Sequence, residues 1–269
     1  MQFADVANDS TLDHVSTPKS GLVRELLGLW LLARHRFACG ARPWLGIATT
    51  VTSVLVATFL HFHILRPDLW RSGDVYAALP LASELARLPM SLFLPTAYLP
   101  LWAACLQLLV VIGLGELILG RWLTIVVALV GHVGSTLIAR FLLESVHGHV
   151  LGLVPALAHG IDTGPSAATA AVGACLLVST RMNRCALLLS VSLIVAALIT
   201  RGVDGVEHTA AILIGGAAGV ADYVVISRFS ASREPASPGL WSAYFSRLLR
   251  VTRSLRRAVM GQRVPTDAG

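Results

Sequence analysis

Six apolar runs follow one another between residues 44 and 226, at 44–65, 89–119, 122–143, 165–180, 185–200 and 206–226. Lipid offers a backbone amide no hydrogen-bonding partner, so a chain of such runs must fold as helices that satisfy themselves. A helix needs about 20 apolar residues to cross a bilayer. The fourth and fifth runs are short by that measure, and the second is overlong and broken by Pro95 and Pro100. Only 13% of the residues are charged, against roughly 25% in a soluble domain. The reading is a single all-α membrane domain over 44–227, preceded by a segment 1–43 and followed by a basic tail 228–269.

Arginine placement orients the bundle. Arg24, Arg34, Arg36 and Arg42 precede the first run, Arg121 follows the second, Arg181 and Arg184 follow the fourth, and Arg228 and Arg233 follow the sixth. These are alternate loops, so they share one side, which the positive-inside rule makes cytoplasmic. The stretch 144–163 has no Lys or Arg, and Arg66, Arg71 and Arg87 are balanced by Asp68, Asp74 and Glu84. Six spans with both termini in the cytoplasm are expected, in a multi-pass protein of the plasma membrane; the richness in Arg and Ala fits a GC-rich bacterial genome. The net charge of +6 then belongs to cytoplasmic loops and anionic headgroups, with no nucleic-acid partner implied. Residues 1–20 are polar, lack the apolar core of a signal peptide and are expected to be disordered. The segment 21–37 suits an interfacial helix, with a short soluble helix fitting nearly as well. The loop 66–88 carries a partly apolar stretch suited to the outer interface. The tail 240–264 reads as an amphipathic helix on anionic lipids.

Chemistry concentrates at two helix starts. Ser166, in Gly164-Pro165-Ser166-Ala167, opens the fourth run, and His208 opens the sixth. Both runs point the same way, so the two residues are expected at similar depth on the outer, extracytoplasmic side, where they could act as nucleophile and base. Each has a plainer reading: small-residue packing for the Gly-x-Ser and an interhelical hydrogen bond for the histidine. His132, in the middle of the third run, is expected too deep to join them and is read as structural, bonded to Ser135 or a facing helix. Asp162 and Thr163 are N-cap candidates for the fourth helix. Glu207 neighbours His208, but adjacent helical residues point apart. His147, His149 and His159 match no metal spacing. Cys39, Cys105, Cys175 and Cys185 match neither a metal nor a disulfide pattern, so no metal and no cofactor is expected.

Gly164-Pro165-Ser166-Ala167, His208 with Ala211 and Gly215, Glu116 with Gly120-Arg121, Gly131 and Gly134, and the pair Trp70-Arg71 together resemble the motifs of the rhomboid superfamily of intramembrane serine proteases. The closest likeness is to its actinobacterial rhomboid-like branch, and it covers residues 66–221. The resemblance implies a six-helix rhomboid-like bundle and a Ser166–His208 dyad without a third acid. It further implies that Gly215 and Ala211 bring the sixth helix close to the fourth, and that the substrates are transmembrane segments of other membrane proteins. Two departures bear on activity. Aligning the frame Ser91-Leu92-Phe93-Leu94 puts Pro100 and Ala104 where the family carries an oxyanion-binding histidine and asparagine. Pro165, before the serine, has no N–H to donate. An inactive rhomboid pseudoprotease that binds membrane helices is therefore the alternative to an intramembrane serine endopeptidase. A transporter would call for an internal repeat or charged, broken helices at mid-membrane, and neither stands out.

Overall fold

The structure is a computed structural model that describes residues 21–62, 74–75, 79–94, 100–145, 164–200 and 203–231. The chain divides into two compact units, Met1–Ile226 and Ser227–Gly269, and the packing below belongs to the first. Expected disorder at 1–20 and the expected tail helix at 240–264 lie outside the described residues, as do Trp70, Arg71, His147, His149, His159, Asp162 and Thr163. Among the described residues the fold is all-helical: α1 (Gly21–Ala38), α2 (Trp44–His61), α3 (Leu81–Ser91), α4 (Leu101–Ile118), α5 (Arg121–Ser145), α6 (Ser166–Ser179), α7 (Asn183–Thr200) and α8 (Val203–Ala231). Among the described residues four stretches are long and apolar enough to cross a membrane: Trp44–His61, Leu101–Ile118, Arg121–Ser145 and Val203–Ile226. They mark an integral membrane protein.

The second apolar run is not one helix. Its start belongs to α3, which ends at Ser91, and the span proper begins at Leu101 behind Pro100. Proline cannot donate to a helical ladder but suits a helix start, so Pro100 sets this boundary. Nor does α3 present a purely interfacial surface. Glu84 and Ser91, 1% and 0% exposed, sit with Leu88 on its buried face. Glu84 Oε2 accepts a 2.5 Å hydrogen bond from Arg140 Nη1 on α5, which also donates to the Leu79 carbonyl at 2.7 Å. Ser91 meets His132, further back along α5. The two contacts make α3 antiparallel to α5.

Within α4, Leu108–Ile112 form a π-helical turn between the α-helical stretches Leu101–Gln107 and Gly113–Ile118. Just beyond that turn α2 crosses α4 backbone to backbone: a Cβ on Gly46 would stand 2.8 Å from Cα and N of Gly113. At the centre of the bundle α6 is buried on every side from Ala167 to Val172, as expected of a helix that is apolar all round.

Two carboxylates order one end of the bundle. Glu116, at the end of α4, accepts from the Leu45 amide at the start of α2 and from Arg121 Nε (2.9 Å) at the start of α5. Glu25 of α1 accepts from the amides of Cys185 (2.9 Å) and Arg184 (3.3 Å), which open α7. Each carboxylate satisfies donors that a helix start leaves without an intrahelical partner. Arg181 lies over the Tyr223 ring at 5.1 Å, and Asp222 is buried beside it. This end thus collects Arg121, Arg181 and Arg184, with the arginines of α1. Exposed Trp44 and Trp122 lie here, and exposed Phe62, Trp102 and Phe141 lie at the other end, in the manner of two interfacial aromatic belts.

Two outcomes are expected. Arg140→Met, which strands the buried Glu84 charge, should destabilise the folded protein by about 3–5 kcal/mol, and adding Glu84→Gln should recover most of the loss in thermal unfolding. At Glu25, burial disfavours the charge, yet the Cys185 and Arg184 amides and the Arg184 charge outweigh it and hold the carboxyl below its ordinary pKa. A depressed folded-state pKa contributes stability above the unfolded value and loses it as pH falls through the folded one. The protection of α1 amides, taken as their exchange relative to the intrinsic rate at each pH, should therefore fall on going from neutral pH to below about pH 4, and Glu25→Gln should flatten that dependence.

Candidate functional site

The start of α6 is held in a backbone shape that needs glycine. Gly164 has φ +124°, in a region costly for a residue with a Cβ. Its amide donates to the Ser91 carbonyl at 2.9 Å. Pro165 occupies the N-cap position, and its carbonyl accepts from the Thr169 amide at 2.9 Å. The amides of Ser166, Ala167 and Ala168 belong to the first turn and have no intrahelical acceptor. They form the positive end of the helix dipole. Ser166 is half-buried. Its carbonyl accepts from Thr169 Oγ1 at 2.9 Å, while its own Oγ makes no hydrogen bond among the described residues.

The height of His208 relative to Ser166 follows from two glycines on α8. A Cβ on Gly215 would lie 2.0 Å from the Ala171 carbonyl oxygen, and one on Gly219 would lie 2.7 Å from that of Cys175. Both pairs are 44 apart in number, so α6 and α8 run parallel in one fixed register. In that register His208 is level with Gly164, about 3 Å along the axis from Ser166 at 1.5 Å per residue. Ala211, fully buried, is level with Ala167. On the opposite side Gly131 of α5 comes within 2.3 Å of the Ala171 methyl when given a Cβ. Since α5 runs antiparallel to α6, Ser166 is level with residues near Thr136, and α5 continues for about 14 Å beyond it to Ser145. The serine thus lies well below the end of α5.

The imidazole of His208 is half-buried, and its Nδ1–H donates to the Asp204 carbonyl at 2.5 Å. A carbonyl can only accept, so the neutral ring carries its proton on Nδ1 and keeps the lone pair on Nε2. No hydrogen bond joins His208 to Ser166. Glu207 is buried while its neighbour His208 is not, so the two side chains point apart. Pro100 is exposed at the start of α4, and Ala104, buried on the stretch of α4 that touches α6, brings no polar atom.

His132 lies about one turn deeper than Ser166 and bonds a facing helix: its Nε2 is 2.9 Å from Ser91 Oγ. Ser91 entered the sequence reading only as part of an alignment frame, and Gly219 did not enter it, although Gly219 follows Gly215 at the four-residue spacing of close-packed membrane helices. Among the described residues no group of three His, Cys, Asp or Glu side chains could hold a metal ion. Comparison with protein-family models, curated proteins and solved structures finds no match for this chain.

The register is open to test. Gly215→Val should lower the melting temperature in detergent, with overpacking costing about 1–3 kcal/mol or more. Gly216→Val, where nothing lies within 4 Å of a new Cβ, should leave it nearly unchanged.

Proposed function

We propose that the protein is a rhomboid-like intramembrane serine protease that cuts transmembrane segments with a Ser166–His208 dyad. The observation that carries this reading is the shared height of a hydroxyl without a partner among the described residues and an imidazole whose neutral ring, with Nδ1–H given to the Asp204 carbonyl, has its lone pair on Nε2, at one end of two interlocked parallel helices. In the reaction His208 Nε2 takes the proton of Ser166 Oγ as Oγ bonds to the scissile carbonyl carbon, whose π electrons move onto oxygen. The amides of Ser166, Ala167 and Ala168 are the donors available to that oxyanion. Collapse of the adduct breaks the C–N bond, and His208 returns the proton to the leaving amine. Water, activated by the same imidazole, then releases the acyl group. In this reading the bundle has six spans, with α6 and α7 as the short ones. Both termini are cytoplasmic, the arginine-rich end faces the cytoplasm, and the dyad opens to the extracytoplasmic side of the plasma membrane. The basic tail rests on anionic lipids.

A second reading, a pseudoprotease that binds membrane helices without cutting them, is favoured by one set of residues. Pro165 has no N–H, and Pro100 and Ala104 supply no side-chain donor. A single missing oxyanion donor costs roughly 10²–10³ in rate. Labelling of the purified protein by a fluorophosphonate separates the two. The protease should label, with Ser166→Ala abolishing the signal and His208→Ala slowing it by about 10²–10⁴-fold. No labelling of a protein shown to be folded, beside an active rhomboid labelled in parallel, would leave the pseudoprotease reading.

A further inference from the structure

We infer that His132 is a positioning residue for the Ser166 site, acting through Ser91. The inference rests on the reading of Ser166 as the working group, but its geometry can be tested without catalysis. Ser91 ends α3, His132 lies midway along α5, and Gly164 stands two residues before Ser166. Two hydrogen bonds join them, and a third, within α3, fixes the direction of one. Ser91 Oγ–H donates to the Leu88 carbonyl at 2.8 Å, Ser91 Oγ is 2.9 Å from His132 Nε2, and the Ser91 carbonyl accepts from the Gly164 amide at 2.9 Å. A hydroxyl has one hydrogen. Ser91 gives its hydrogen to Leu88, so the bond to His132 requires the ring to donate from Nε2. The ring and the hydroxyl are buried, at 4% and 0% exposure, where a lost partner leaves a polar group that water cannot reach.

The consequence falls on the backbone. Gly164 takes its unusual φ of +124° while bonded to the Ser91 carbonyl. That carbonyl is held in place by the imidazole bond to the same residue's hydroxyl. If Ser91 loosens, the Gly164–Pro165 corner loosens with it. The first-turn amides, which have no intrahelical acceptor, and Ser166 Oγ then lose their fixed direction. The Ser91 carbonyl also accepts from the Leu94 amide, at a longer 3.3 Å. Ser135 and Thr136 both donate to the His132 carbonyl at 3.0 Å and so bind its backbone, not its ring. The Glu84–Arg140 pair fixes the opposite end of the buried face of α3.

The test compares His132→Leu, which fills the space without a donor, with His132→Gln, whose amide N–H falls near the Nε2 position, and with Ser91→Ala, which keeps the backbone carbonyl. Two quantities are read on the full-length protein: hydrogen exchange of the segment 164–168 and the rate of fluorophosphonate labelling at Ser166. Exchange faster by about tenfold in His132→Leu and Ser91→Ala, with labelling slowed to match and both restored by His132→Gln, is the expected result. Exchange unchanged in His132→Leu and Ser91→Ala overturns the proposal, whatever the labelling does. Faster exchange in a protein that never labels supports the positioning role and removes the protease reading instead. Should His132→Leu fail to fold, Ser91→Ala decides between these outcomes.

Discussion

Ala171 has a glycine on either side of it. Gly131 of α5 meets its methyl and Gly215 of α8 meets its carbonyl, each at a distance that leaves no room for a side chain. Between membrane helices there is little hydrophobic force, because lipid tails are as apolar as leucine, and close packing does much of the joining. Three helices therefore meet where side chains are smallest, and α6 is buried all round as a result. A helix so placed can be short without exposing its ends to lipid, and its polar start can lie within the thickness of the membrane.

Charge is used sparingly around that centre, and mostly to close helix ends. Glu116 and Glu25 each receive amides from the start of another helix, doing between elements what a capping side chain does within one. Glu84 instead receives Arg140 and secures α3 against α5. Because these carboxylates sit near the ends of the bundle, the middle of the apolar layer is left to weaker polar contacts, and the bond between His132 and Ser91 is the deepest that bears on the Ser166 site.

Much of this architecture was legible in the sequence where a single physical rule governs. Uninterrupted apolar runs located α2 and α5 closely, because length and hydropathy alone decide what can sit in lipid. Pro100 marked a break, but its consequence, a separate buried α3, was not readable. Glu84 and Ser91 are polar residues on a short amphipathic helix, and only the position of Arg140 and His132, more than forty residues away, turns that face inward. Asp222, buried in α8, gave no signal either, since one acidic residue near a span end reads as a terminus. At the candidate site the helix directions placed Ser166 and His208 at one end, but their spacing could not give the register. The register depends on Gly215 and Gly219 meeting the backbone at Ala171 and Cys175.

That register has one seating. Sliding α8 by a turn in one direction would press Tyr223 against the level of Cys175, and in the other would set the methyl of Ala211 where Gly215 has no space for one. The helix therefore works as a ruler with a single mark. The relative height of Ser166 and His208 is fixed about 10 Å away from them, in the packed interior. A substitution beside either side chain can therefore leave their alignment intact, while one methyl at Gly215 would shift both.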